Sequence, residues 1–515
     1  MGIFLNPGNE GFESAVKSQI YVDKTQMLAY TNSVLDSEQR YLCVSRPRRF
    51  GKSITAEMLT AYYGRGCDSL ELFRNCRIAS DSHFKEHLNR YDVIHIDINS
   101  FRRAGEPEES IVSRIQGALL GELRECYREC VPGDVVSLRE ALAGINNAKG
   151  TRFVVVIDEW DAVFREEKED DGVQTEYIDF LRGLFKDAPS KKFIKLAYLT
   201  GILPIKKYGT ESALNNFDEF TMLEADVLAE YVGFTEAEVR ELCEKHGMDF
   251  ERTAQWYDGY VVEKGLHVYN PKSVVDSIRR KRIGNYWTNT ETYESLKSYI
   301  SMNFDGLRDA VARMLAGDSC RINPAKFQND MTSFKSRDDI LTLLIHLGYL
   351  TYDRDTASVW IPNEEVKGEF VNAIEDAGWK LRMKRDRKRK RRVYMRKRIV
   401  IVLLAAVCIL VAGLFVLSPF RFGTGIYIAA DSPMILLDNG SGEPVVMHGG
   451  SRDYQTGDKV LILHNGTMML SYPAQMSVYL CVRLKKGDAR DVPQSVLDSL
   501  EEMGWLSGGE LGQNQ

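Results

Sequence analysis

The sequence has no Cys-x-x-Cys pair and no cluster of Cys with His, although it holds nine Cys. Their number is odd and they lie scattered. These absences argue against a disulfide framework and against structural zinc, and they fit a mostly reducing compartment. The N-terminal stretch MGIFLNPGNEGFESAVKS lacks the apolar core of a secretory signal. Gly2 is followed by Asn6 where a myristoylation signal has Ser or Thr. A strong charge excess is missing too: 67 Lys+Arg against 73 Asp+Glu give a net −6. With 44% hydrophobic and 27% charged residues, the chain is not disordered, collagenous or a bulk membrane protein. Its 515 residues exceed one ordinary core and imply about two to four domains.

The small net charge conceals segregation. Lys380 to Arg398 holds 13 Lys/Arg and one acid, Asp386, a net +12. Residues 418–515 carry −4, which leaves −14 on residues 1–379. Ile399–Leu417 (IVIVLLAAVCILVAGLFVL) then runs 19 residues without a charged side chain. As a helix at ~1.5 Å per residue it would span roughly 28 Å, close to a bilayer core of about 30 Å. A buried soluble helix is the alternative, but such helices usually keep a polar face. The cations flank one side only. The expectation is therefore a single-pass protein of the cell membrane, with residues 1–398 cytoplasmic and 418–515 extracytoplasmic. The basic run has the charge to bind nucleic acid, yet its adjacency to the apolar run favours anionic lipid headgroups at 380–398.

The chemistry-bearing residues lie further upstream. Tyr41–Ser45 reads as a buried strand. Arg46-Pro-Arg-Arg-Phe-Gly51-Lys52-Ser53 follows, and a helix continues from Ile54 to Tyr63. Strand, loop, Gly-Lys-Ser and helix are the context of a phosphate-binding P-loop. Backbone N–H groups and the helix start would hold phosphate oxygens. Lys52 would reach the β/γ-phosphates, Ser53 would ligate Mg²⁺, and Gly51 allows close approach. Arg46 stands where the usual pattern has its first Gly, so the loop alone also fits a basic turn before a helix. A second motif supports the nucleotide reading. The apolar strand Phe153–Ile157 ends in Asp158-Glu159, as a Walker B strand does. Asp158 would hold Mg²⁺ and Glu159 would orient the attacking water. Val93–Ile98, Ile194–Gly201 and Glu219–Leu223 read as further strands, and Thr200 is placed to sense a γ-phosphate. Helical segments between them give a parallel α/β sheet with its ligand at the strand C-terminal ends.

Tyr21-Val-Asp-Lys24, the Arg46–Ser53 loop, Asp158-Glu-Trp-Asp161 and Trp256-Tyr-Asp-Gly-Tyr260 together resemble the bacterial and archaeal AAA-ATPase-like family, related to the STAND class of P-loop NTPases. Tyr269-Asn-Pro271, Asn285-Tyr-Trp287, Leu347-Gly-Tyr-Leu350 and Ile361–Val366 continue the resemblance, which covers about residues 3–375. It implies ATP binding with Mg²⁺ and slow hydrolysis, and the Arg-first loop is the family's own form. Arg48, Arg49, Phe50, Gly51, Lys52, Ser53 and Ile54 are the nucleotide-contact candidates. Ser53 and Asp158 are the metal candidates; Glu159, Lys52 and Thr200 are the catalytic ones. Arg48 and Arg49 fit phosphate contacts, fingers toward a partner, or salt bridges to the acidic surface. Asp161 fits a helix cap or a supporting acid, the cap being preferred. Many such relatives continue into a PD-(D/E)xK nuclease domain; no such motif follows here.

The expected fold is an α/β P-loop NTPase core (1–225), a helical and winged-helix-like extension (226–378), a basic juxtamembrane segment (379–398), a transmembrane helix (399–417), a small OB-like β-barrel with a C-terminal helix (422–505) and a tail (506–515). The functional expectation is a membrane-anchored, ATP-driven signalling switch with a protein partner. A non-hydrolysing scaffold and a membrane-tethered DNA-binding regulator are the alternatives. The extension is not notably basic, so a protein contact is favoured over DNA, and a homo-oligomer stays open.

Overall fold

The structure is a computed structural model. It describes residues 2–102, 109–167, 170–208, 211–263, 265–287, 292–302, 304–376, 420–438, 442–450 and 454–506. The chain divides into two compact units, Met1–Arg387 and Lys388–Gln515.

The first unit is organised by a five-stranded sheet. Its strands are β1 (Tyr41–Ser45), β2 (Asp92–Asp97), β3 (Phe153–Asp158), β4 (Ile194–Gly201) and β5 (Asp218–Phe220), in the order β2-β3-β4-β1-β5. Every pairing is parallel. Strands β1, β3 and β4 are near-continuous apolar runs because helices cover both faces. Alternate side chains feed two cores. Leu42, Val44, Val154, Val156, Leu196 and Tyr198 enter one. Tyr41, Cys43, Val155, Ile157, Ala197 and Leu199 enter the other. The register sets Val44 beside Thr200, Asp158 beside Thr200, and Asp97 beside Asp158. The C-terminal ends of four strands thus share one edge, where α/β sheets hold their ligands.

Helix α1 (Lys52–Tyr63) leaves that edge from the loop after β1. Beyond the sheet, helix α2 (Glu236–His246) opens on a capping box. The Thr235 amide donates to Glu238 Oε2 at 2.8 Å, and the Glu238 amide to Thr235 Oγ1 at 3.4 Å. A three-stranded sheet joins Phe234–Thr235, Leu266–Tyr269 and Tyr260–Glu263, and helix α3 (Pro271–Arg279) follows it. Another small sheet orders Cys320–Arg321, Ser358–Trp360 and Thr351–Asp353, with helices Arg337–His346 and Glu364–Asp376 alongside in sequence.

The second unit holds a closed barrel of five strands: Arg421–Ile428, Met434–Leu437, Val445–His448, Lys459–Met469 and Ala474–Lys485. The third and fifth pair in parallel and the other pairings are antiparallel. Ile435, Met447, Val460, Ile462 and Val478 belong to one of its cores. Helix Gln494–Glu502 brings Leu497 and Leu500 into another with Met434 and Val446.

The expected fold class is corrected in one element. Among the described residues, no helix is long and apolar enough to cross a membrane. The longest of them, Ile111–Cys126, has 16 residues, about 24 Å of rise against an apolar bilayer core of about 30 Å. It also carries Arg114, Glu122, Arg124 and Glu125. The apolar run Ile399–Leu417 and the basic stretch Lys380–Arg398 lie outside the described residues, and the transmembrane helix is withdrawn from the fold.

Candidate functional site

The loop after β1 turns on Gly51, whose φ of +95° admits glycine readily. A Cβ there would meet nothing within 4 Å, so the backbone conformation, not crowding, requires the glycine. No side chain caps the start of α1, and its first N–H groups are the kind that receive phosphate oxygens. Lys52 is buried, with its Nζ donating to the Pro47 carbonyl at 3.1 Å and lying 4.0 Å from Glu159 Oε1. Burial lowers its pKa, and Glu159 and Asp158 oppose that shift.

Strand β3 delivers the acidic pair. Asp158 is buried, its carboxyl raised by burial against a hydrogen bond from Ser53 and the charge of Lys52. Ser53 hydroxyl and Asp158 carboxylate are hard oxygen donors, and Ser53 stands near enough to Asp158 to lower its carboxyl. That pair fits Mg²⁺, which takes one or two protein oxygens and fills its octahedron with water and phosphate. Glu159 sits at φ +51°, a left-handed conformation that turns the chain sharply after β3. Its amide donates to Asp158 Oδ1 at 2.8 Å.

Asp161 does not cap the short helix Ala162–Glu166 with its side chain. Instead its Oδ2 accepts from Ile202 N at 3.1 Å, Leu203 N at 2.8 Å and Arg165 Nε at 3.0 Å. The preferred reading as a cap gives way to that of a buried anchor. Arg165, 6% exposed, uses its Nη2 on Glu159 Oε2. Glu166 lies 3.9 Å from both Arg48 and Arg102. Anions and cations therefore alternate around the strand ends: Lys52, Glu159, Arg165 and Asp161, with Arg48, Glu166 and Arg102 beside them.

All of these but the fully buried Asp161 line a cavity of about 1030 Å³, ample for a nucleotide. Arg48, Arg49, Phe50, Gly51, Lys52, Ser53, Ile54 and Glu159 line it. Asp158 is buried behind that wall and does not line the cavity. Thr200 does not line it; its hydroxyl donates to the Val44 carbonyl at 3.0 Å inside the sheet. Nor does Arg46 line it. That side chain is fully buried and donates to the Ser45 and Phe220 carbonyls, so it stays out of the cavity despite its position in the loop.

Sequence reasoning missed three parts of the wall. One is segment 18–22, of which only Tyr21 and Val22 belong to a motif of the resemblance. Lys24 ties that segment to α2, reaching Glu238 Oε2 at 2.6 Å. The second is α3, which contributes Pro271, Val275 and Arg279. The third is the pair Arg102 and Arg165. Asp161 and Arg165 stand four apart, a readable i,i+4 pair; nothing marked Arg102.

The loop is also gripped from behind. Trp287 Nε1 donates to the Arg48 carbonyl at 3.1 Å. The Phe50 ring meets Tyr260 edge-on at 5.3 Å. At Gly348 (φ +85°) a Cβ would stand 2.7 Å from Pro47 Cβ. Tyr260 Oη donates to the Gly348 carbonyl at 2.8 Å, closing the clasp.

A parallel sheet, a Gly-Lys-Ser loop feeding a helix and an acidic pair on the next strand but one are the fold of the P-loop ATPases. Residues 9–210 match the model of the AAA-ATPase-like family, described as predicted AAA-ATPase. No curated protein matches the chain. Among solved structures, the ORC2 protein of Aeropyrum pernix in ADPNP–ADP complexes aligns with TM-score 0.32 and 11% identity, over 70% of this chain and 98% of that one. AMPPCP-bound DnaA from Aquifex aeolicus aligns with TM-score 0.25 and 9% identity, over 75% and 96%. Likenesses this distant carry nothing about what this chain binds.

Proposed function

We propose that the first unit binds ATP with Mg²⁺ and hydrolyses it slowly, as a regulatory switch rather than a fast enzyme. One observation carries the reading: buried Lys52 faces Glu159, and both line with Ser53 a nucleotide-sized cavity at the end of the parallel sheet where β3 delivers Asp158. Lys52 and the N–H groups of the loop would bind the phosphates. Ser53 and Asp158 would hold Mg²⁺, which supplies charge neutralisation of the phosphates. Glu159 would orient and accept a proton from water. Segment 18–22 and α3 would close over the rest of the nucleotide. The clasp on the loop supports a switch, because loop movement must pass to Trp287, Gly348 and Tyr260. The readout would be a protein partner or a second copy of the chain, the STAND-like mode.

The full-length chain is the test material. Lys52→Ala should weaken ATP binding at least about 10-fold. Glu159→Gln should keep binding and lose about 10² or more in phosphate release. ATP binding that ignores Lys52→Ala would remove the reading. A non-hydrolysing scaffold is the second reading, favoured by the pairing of Glu159 with two cations. It expects binding without phosphate release, even with a partner present.

A further inference from the structure

Glu159 is held from two sides. Its Oε1 lies 4.0 Å from Lys52 Nζ, and its Oε2 is bonded to Arg165 Nη2. One carboxylate thus bridges the loop lysine and an arginine that the mechanism above leaves without a task. Arg165 is not a solvated surface charge, being 6% exposed. Its Nε edge is committed to Asp161, itself fully buried and fixed by two backbone amides of the chain after β4. Among the described residues, the other end of the guanidinium is held only by side chains that line the cavity. These are Glu159 and, at 3.7 Å, the 39% exposed Glu166. An arginine clamped at one edge and open to exchange at the other is preorganised for a second anion.

We propose that Arg165 is a cis-acting phosphate arginine: a nucleoside triphosphate bound at Lys52 replaces Glu159 on its outer edge, and the exchange frees Glu159 to address water. A terminal phosphate has three acceptor oxygens and more charge than a carboxylate, so it wins the planar fork of an arginine. A diphosphate lacks the γ-phosphate, and its own terminal phosphate is taken up by Lys52 and the loop, so it leaves the Arg165–Glu159 pair intact. The site therefore distinguishes triphosphate from diphosphate, and only the triphosphate releases its own base. No covalent bond is made or broken in the exchange. Arg48 and Arg102 share Glu166 across the same mouth, and they supply charge there without Arg165's buried anchor. The inference rests on the nucleotide reading above.

The test titrates MgATP and MgADP separately into full-length wild type, Arg165→Ala and Arg165→Lys, with thermal melts of each. Arg165→Ala should weaken ATP about 10-fold or more while moving ADP less than about 3-fold. Phosphate release at saturating ATP should fall about 10²-fold or more, in the range of known arginine contributions. Arg165→Lys should fold and recover only part of the ATP/ADP ratio, because a point charge cannot serve Asp161 and a phosphate together. An ATP/ADP ratio unchanged in Arg165→Ala overturns the proposal, as does equal loss of both nucleotides. Should that variant fail to melt cooperatively, an unchanged ratio in Arg165→Lys overturns it instead. Wild type that binds neither nucleotide removes the nucleotide reading and this inference together. Binding of both with an unaltered variant ratio removes only the inference.

Discussion

Asp161 shows how much one buried carboxylate organises. Its Oδ2 receives three donors while Oδ1 has no hydrogen-bond partner. Gly201 explains part of that packing, because a Cβ there would stand 2.5 Å from Oδ1. An asparagine can place its oxygen at Oδ2 and keep the two backbone bonds, but it gives up the charge facing Arg165. Asp161→Asn should therefore cost about 1.5–3 kcal/mol of stability, the worth of a charged hydrogen bond. Asp161→Ala should cost more, about 3–5 kcal/mol, by leaving a buried guanidinium partly uncompensated. Urea unfolding of both variants checks the order. Equal costs would mean that Asp161 serves only the backbone. From sequence, an acid three residues after β3 looked like a cap, since caps are commoner than buried anchors. The difference is made by the Ile202 and Leu203 amides, which are distant in sequence.

The clasp on the phosphate loop belongs to the scale of elements. Trp287, Tyr260 and Gly348 come from three separate segments, yet each touches a different residue of Pro47–Phe50. Gly348→Ala must accept a positive φ and a Cβ 2.7 Å from Pro47 Cβ. It should cost about 1–3 kcal/mol and weaken ATP binding several-fold by shifting the loop. Gly247 offers the control. Its φ of +62° is similar, but a Cβ there meets nothing within 4 Å. Gly247→Ala should cost about 1 kcal/mol and leave nucleotide affinity unchanged. Equal affinity losses in both variants would show that the clasp does not position the loop. Trp287→Phe, which removes one donor, should cost about 1 kcal/mol and act in the same direction.

The same elements show what could be read in advance. Strands β1, β3 and β4 were legible because burial on both faces leaves continuous apolar runs. The Gly-Lys-Ser loop and the acidic pair were legible as local patterns, a triplet between a strand and a helix and two acids ending an apolar strand. Strands Tyr260–Glu263 and Leu266–Tyr269 were not, since four residues carry no periodicity and Trp256–Tyr260 read as a turn. The clasp was quoted as motifs without being understood as one contact. Nothing in a linear sequence states that Leu347-Gly-Tyr-Leu350 lies against Pro47.

At the scale of the whole molecule, the charge pattern predicted an order of segments, and the apolar run predicted a membrane helix. The described helices contain none. Hydropathy alone found a 19-residue run, but a run's length describes composition and does not place it. What the three-dimensional structure adds is a set of buried groups whose ionisation governs global stability.

Two histidines in the first unit dominate that set. His95, on β2, is pushed down to about 4 by burial. His346 is pushed down to about 3, by burial first and then by the charge of Lys207. The ordinary value for both is 6.5. Between 6.5 and about 3 the unfolded chain therefore binds protons that the folded chain refuses. Stability then rises with pH through that window and is lost as pH falls from 6.5 toward 3. His95 retains a partner, with Thr60 Oγ1 at 3.1 Å from its Nδ1, so replacing it disturbs a contact. His346 is the cleaner probe. It is fully buried, stacks on Phe327 at 6.0 Å, and neither ring nitrogen has a hydrogen-bond partner. Substituting an apolar side chain abandons no bond, so His346→Leu should lie within about 1 kcal/mol of wild type near pH 7.5. At pH 5 the variant should be the more stable of the two, because it no longer loses a proton site on folding; each pH unit below 6.5 is worth up to about 1.4 kcal/mol for this residue. Chemical denaturation at the two pH values measures the difference directly. Wild type and variant losing equal stability between them would mean that His346 protonates freely in the folded chain, and the helix Arg337–His346 would then have to open to water around it.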